Sequence, residues 1–467
     1  MTIQEENEMR AKALLGVINN GLLDAGAIEN FTYHHLASIK WVYNIDLFKT
    51  VSNKIYDLNI KKIKGKSKIK IAFLNNYAST WACTRLYKML EEDDRFEPYI
   101  LVVPFYNGTE ITIMDTYKKT SEYFREHGYK TIMGYDVVNK RHLEWSEIDV
   151  PDIIIHQHPH YKGIRDTFYF YNIPLSVLNI YIPYAFMANN DYALQYNQMS
   201  HLLYWKIFCE TTAQKKLFED YCDIGDAHVI VSGYAKMDTL LDNTPVKSAE
   251  KIWKMPPNIK ADNIVKIIYA PHHSLYSGLF GYATFDKNYM DIYQLACKYA
   301  DSTSWIIKPH PLLRKQAVVE GLFQNEQEFD NYIAMWDNLP NARSVGDEPY
   351  FDIFKSSDGM IFDSQSFRTE YIYVNKPSLY LKRRGHNYEM SFDRIGLEVL
   401  DILYSVEGDD IDGIENFIQD VLLSKNDYKR KGRENFYKNY LDYYTYNGGK
   451  LANDVIYDFL KANLAKE

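Results

Sequence analysis

Two short stretches carry side chains that could handle a phosphate. Trp305–Ile307 is apolar and stops at Lys308-Pro309-His310-Pro311, which sets an ammonium and an imidazole between two prolines that restrict the backbone. Met360–Phe362 is a second apolar run, and it opens into Asp363-Ser364-Gln365-Ser366, residue types that cap helices well. Phe367, Tyr371 and Val374 then recur at helical spacing, and after Lys376-Pro377 comes a third run, Leu379–Leu381. The pattern predicts a strand-helix-strand unit, and such units place ligands at the carboxyl ends of their strands. A helix start there offers unpaired N–H groups and partial positive charge, to which Ser364 and Ser366 add hydroxyls, with Lys308 and His310 completing a phosphate cradle. Singly, a turn with a histidine in it and a plain helix cap are the ordinary readings; their succession at two strand ends is what points to a site.

Further histidines end other runs. His156-Gln157-His158-Pro159-His160 follows Asp152–Ile155, and alternate positions of an extended segment share a face, the spacing of a metal site. Neither a cysteine nor an acidic cluster accompanies them, so no metal is expected and His158 is read as an acid, a base or an acceptor contact, with an ordinary surface histidine as the alternative. Pro271-His272-His273-Ser274 ends Val265–Ala270 on the expected ligand side, where a structural turn is the competing reading. Lys382-Arg383-Arg384-Gly385-His386 is a basic loop that fits either a phosphate or solvent.

The elements that must position these groups form an α/β pattern. Residues 1–66 read as a helical appendage ending in a lysine-rich linker, a solvated connection or a contact with anionic lipid. Residues 67–245 alternate short apolar runs with amphipathic segments, residues 262–425 repeat that pattern, and 426–467 read as helices long enough to pack back on the first domain. No G-x-G-x-x-G fingerprint is present, which weakens a dehydrogenase reading. The 467 residues suffice for two or three domains, and a net charge of −9 argues against nucleic acid as the partner. Four widely spaced cysteines read as reduced thiols in a cytosolic protein. The N-terminus lacks a secretory h-region and Ile173–Met187 is too short and proline-broken to span a bilayer, so any membrane contact would be peripheral.

Ile267–Pro271, Lys308–Pro311, Ser357-Asp358, Asp363–Ser366 and Lys376-Pro377 with Tyr380 resemble, in order, the C-terminal half of the CDP-glycerol glycerophosphotransferases, which build teichoic-acid-like polymers and capsules. The family's D-Y-S-S stands here as D-S-Q-S, and Gly233-Tyr234-Ala235-Lys236-Met237-Asp238 resembles its G-Y-P-R-x-D. The resemblance implies the GT-B fold, two Rossmann-like domains facing across a cleft. It also implies transfer of an alditol phosphate, glycerol phosphate above all, from a CDP-linked donor to a hydroxyl of a surface polymer or glycan, without a cofactor. His272, His273, Lys308, His310, Asp363, Ser364 and Ser366 are then the donor-binding residues, and His158 and His310 the catalytic ones. Where the family carries H-G-T-P this chain has Tyr181-Ile182-Pro183-Tyr184-Ala185-Phe186, so its acceptor chemistry departs from the pattern. A GT-B glycosyltransferase using CMP-sialic acid or another nucleotide sugar, and a silent glycan-binding protein of the same fold, are the alternatives. A homo-oligomer at the inner face of the cell membrane is compatible with each.

Overall fold

Strands buried on both faces of a parallel sheet are written as unbroken apolar runs, because helices cover both sides. Ile69–Asn75 (β1) is such a run, buried at every position but Lys70. In the computed structural model, which describes residues 1–106, 109–158, 163–242, 248–256, 264–276, 280–346 and 349–466, the chain divides into two compact units. One comprises Met1–Ala185, Tyr192–Asp238 and Tyr443–Glu467, the other Phe186–Asp191 and Thr239–Asp442.

In the first unit β1 is joined by Phe96–Val102 (β2), Thr131–Met133 (β3), the small hairpin Tyr135–Asp136 (β4) and Arg141–His142 (β5), Ile153–His156 (β6), Leu178–Tyr181 (β7), Lys206–Cys209 (β8) and Val229–Val231 (β9). Apart from the hairpin these form one parallel sheet in the order β3-β2-β1-β6-β7-β8-β9, so the order reverses between β1 and β6. Three helices precede it, Ile3–Asn19 (α1), Tyr33–Val42 (α2) and Ile45–Lys64 (α3). Tyr56 and Asn59 of α3 donate to the Leu203 and Leu175 carbonyls at 2.9 and 2.7 Å and pin it to the body of the unit. The lysine-rich stretch is therefore the end of α3 and the entry to β1. Lys62, Lys66 and Lys70 in it pair with Glu29, Asp152 and Asp149, charges a lipid surface would otherwise have to attract.

The end of the chain belongs to this unit too. The buried Asp238 carboxylate accepts from Tyr443 Oη at 2.6 Å and from the Ala452 and Asn453 amides at 3.0 and 2.8 Å, which caps the helix Ala452–Leu464. Gly233, at φ +102°, lies under the Tyr443 ring, where an added Cβ would come within 2.2 Å of it. The G-Y-x-x-x-D stretch is thus a clasp for the C-terminal segment.

The second unit repeats the scheme with Val265–Ala270 (β10), Thr303–Ile307 (β11), Ala342–Ser344 (β12), Gly359–Phe362 (β13), Ser378–Lys382 (β14) and Tyr404–Glu407 (β15). All run parallel in the order β12-β11-β10-β13-β14-β15, the strand order of a dinucleotide-binding sheet. Its core joins Trp305, Trp336, Ile361, Leu379 and Phe417 beneath the helices Phe285–Lys298 and Glu326–Asn338. No helix of the described residues is long and apolar enough to cross a membrane.

One local expectation fails. After β13 the chain makes only a four-residue α-turn, Phe367–Glu370, and a 3-10 turn, Tyr371–Val374, with no side-chain cap at Ser366. Tyr371 is buried as expected, but Phe367 and Val374 are only half buried, whereas Arg368, Thr369 and Glu370 are fully buried. The tighter turn rotates the inward face, and inner polar groups take it: Tyr350 donates its hydroxyl to Glu370.

Candidate active site

The strand order reverses between β10 and β13, the point at which parallel sheets take ligands beyond their carboxyl ends, and the expected donor-binding residues of the second unit follow the strands that meet there. His272 and His273 leave β10, Lys308 and His310 leave β11, and Asp363 and Ser364 leave β13. The His310 amide donates to the Pro271 carbonyl at 2.9 Å, tying the two histidine loops together. The Asp363 carboxylate ties the third: it accepts from the His272 amide at 2.6 Å and from the Thr284 amide and hydroxyl at 2.6 and 3.0 Å. Burial pushes that carboxyl up to about 6 against the pull of these donors.

Held this way, the three imidazoles form one cluster. Ring centroids lie 4.3 Å apart for His272 and His273, 4.7 Å for His272 and His310, and 4.2 Å for His273 and His310. Their tautomers follow from the backbone. The Leu312 amide donates to His310 Nδ1 at 3.1 Å and the Ser274 amide to His272 Nδ1 at 3.3 Å, so in each neutral ring the proton sits on Nε2. Burial, and in His272 and His310 the neighbouring positive groups as well, holds the imidazoles below the ordinary histidine range, His273 at about 4. The cluster thus offers neutral N–H donors at neutral pH, which can bond phosphate oxygens. Nitrogens within 4.8 Å of one another are also a set that a zinc-type ion takes. The amide bonded to His310 Nδ1 opposes this, because it places the proton on the atom the metal would need bare.

Beyond β13, the Ser364 and Ser366 hydroxyls make no hydrogen bond among the described residues, whereas the Lys308 ammonium donates to the Gly346 carbonyl and lies 5.8 Å over the Tyr350 ring. Tyr282, stacked on His272 at 5.6 Å, and Thr284 belong to the same assembly. Neither was found in the sequence, since a tyrosine and a threonine before an amphipathic helix carry no distinguishing pattern.

The model of the CDP-glycerol:poly(glycerophosphate) glycerophosphotransferase family matches residues 191–459. The chain belongs to that family. It is an enzyme of the CDP-glycerol glycerophosphotransferase type. Among curated protein sequences none matches it. Solved structures that resemble it include the wall teichoic acid polymerase TagF in two variants. One is 13% identical with a TM-score of 0.51, covering 89% of this chain and 93% of that one; the other is 10% identical with a TM-score of 0.51, covering 99% of each. UDP-GlcNAc 2-epimerase from Neisseria meningitidis, bound to UDP-GlcNAc, is 16% identical with a TM-score of 0.51, over 85% of this chain and 100% of that one. At these identities the likeness is one of fold, and the fold is GT-B.

Other family-like motifs of this glycerophosphotransferase have structural work. Lys376 donates to the Phe354, Lys355 and Ser357 carbonyls at 3.0, 2.6 and 2.5 Å, closing the end of the helix Phe351–Ser356. In the basic loop Arg383 pairs with Asp286 at 2.8 Å and Arg384 with Asp409 at 2.8 Å, so both guanidinium charges are engaged. His158 stands in the first unit beyond β6, stacked on Tyr184 at 5.3 Å and edge-on to Phe105 at 5.0 Å. His160 of the same stretch lies outside the described residues.

Proposed function

We propose that this enzyme transfers an alditol phosphate, specifically glycerol phosphate, from a CDP-linked donor to a hydroxyl of a cell-surface polymer or glycan. The observation that carries the reading is the cluster of three buried imidazoles, set where the strand order of the second sheet reverses and inside the family-matched residues, with Ser364 and Ser366 following the strand on the other side of that reversal. In this reading His272, His273, His310, Ser364 and Ser366 hold the diphosphate. Asp363 and Lys308 position their loops, since their polar atoms are engaged by Thr284, His272 and Gly346.

The acceptor oxygen attacks the phosphorus that bears the alditol, and a new P–O bond forms. The bond from that phosphorus to the bridging oxygen breaks, and CMP departs with the electron pair. Negative charge grows on the departing phosphate, where preorganised N–H and O–H donors stabilise it more than water does. The acceptor's proton passes to a base, for which we propose His158, whose ring is oriented by its stack on Tyr184.

The test is nucleotide release in the presence of a glycerol-phosphate oligomer: CMP from CDP-glycerol or CMP-sialic acid, UDP from UDP-sugars. CMP from CDP-glycerol, reduced at least about 100-fold by His310→Ala, is the expected result. Release from a nucleotide sugar and none from CDP-glycerol would reject the proposal.

A further inference from the structure

Two arginines of the second unit, Arg368 and Arg433, are each only 1% exposed. Arg433 has its countercharge in Asp427. For Arg368, no carboxylate among the described residues is within ion-pairing distance. Its Nη1 makes a long bond to the Gly396 carbonyl, 3.4 Å, its Nε has no partner, and its guanidinium carbon lies 3.6 Å over the Phe392 ring. The acid whose charge it feels, Asp393, makes no ion pair with it and uses one oxygen to cap Gly396 at 2.8 Å. A buried charge without a partner is among the most destabilising groups a fold can hold, and it persists where something outside the fold completes it.

Its position says what that is. Arg368 comes two residues after Ser366, and two rings in succession link it to the imidazoles: Phe392, under its guanidinium, meets Tyr282 at 5.7 Å, and Tyr282 stacks on His272 at 5.6 Å. The imidazoles themselves bring donors but no charge to an anion. We infer that Arg368 is the built-in countercharge of the bound diphosphate, a specificity-determining residue that selects anionic ligands through Tyr282 and Phe392 without touching them. The inference rests on the reading that the histidine cluster holds phosphates.

A countercharge and a packing residue respond oppositely to Arg368→Met, which keeps length and removes charge. If Arg368 is the countercharge, the ligand-free full-length variant melts at the same temperature or higher. Its affinity by calorimetry falls about tenfold or more for CDP-glycerol and for inorganic pyrophosphate, and is unchanged for uncharged cytidine. Arg368→Lys, which keeps the charge, recovers most of the affinity. A variant that melts lower or does not fold, or one with unaltered pyrophosphate affinity, makes Arg368 a packing residue and overturns the inference. Arg368-dependent pyrophosphate binding in a protein that ignores CDP-glycerol upholds the countercharge and removes the donor assignment. Equal CDP-glycerol affinity in wild type and Arg368→Met does the reverse.

Discussion

A neutral imidazole in a dry site donates a hydrogen bond without the desolvation cost of a full charge, which is how His272, His273 and His310 can crowd together at all. Three charged rings at 4.2 to 4.7 Å would repel one another. Proton NMR of the ring Cε1–H resonances should therefore find the ligand-free protein's His273 titrating near pH 4, and His272 and His310 also well below 6.5; titration of all three near 6.5 would contradict the buried cluster. Ser364→Ala removes one neutral donor and should weaken CDP-glycerol about fivefold, near 1 kcal/mol, with the melting temperature preserved. The histidines and serines were legible because each follows directly on an apolar run. Arg368 was not: it lies off the stripe of Phe367, Tyr371 and Val374, a slot that reads as solvent-facing until the tight turn brings it inside.

Elements show the same division. The central strands were visible as apolar runs because helices cover both their faces. β3 and β15, at the margins of their sheets, were missed because their burial is partial and their residues alternate with polar ones. The two α/β domains could be read for that reason, with GT-B itself implied by the family resemblance, whereas the role of Gly-Tyr-x-x-x-Asp as a clasp could not, since its partners Tyr443, Ala452 and Asn453 come some two hundred residues later. Asp238→Ala leaves those buried donors unpaired and should cost about 3 to 5 kcal/mol in urea unfolding, with early proteolysis in the C-terminal segment. Wild-type stability and protection in that variant would show the clasp to be dispensable.

For the whole molecule, the buried histidines set a pH dependence. His156, His228 and His273 are held at about 4 by burial, and His272 and His310 lie well below the ordinary value near 6.5. Between those limits the unfolded chain binds more protons, so the stability these rings contribute is complete above about pH 6.5 and is lost as pH falls toward 4. Asp238, Asp363 and Asp393, raised by burial, run the other way, the contribution of Asp363 and Asp393 fading as pH rises through about 6. Five imidazoles against three carboxyls leave a net loss, and urea unfolding at pH 5 should give a stability several kcal/mol below that at pH 7; equal values would refute the assignment of neutral interior histidines. Where the donor's diphosphate sits is tested most directly by calorimetric titration of CDP-glycerol into wild type and His310→Ala. A dissociation constant weakened about 30-fold or more with an unchanged melting temperature is the outcome required, and an affinity indifferent to the loss of the imidazole would contradict it.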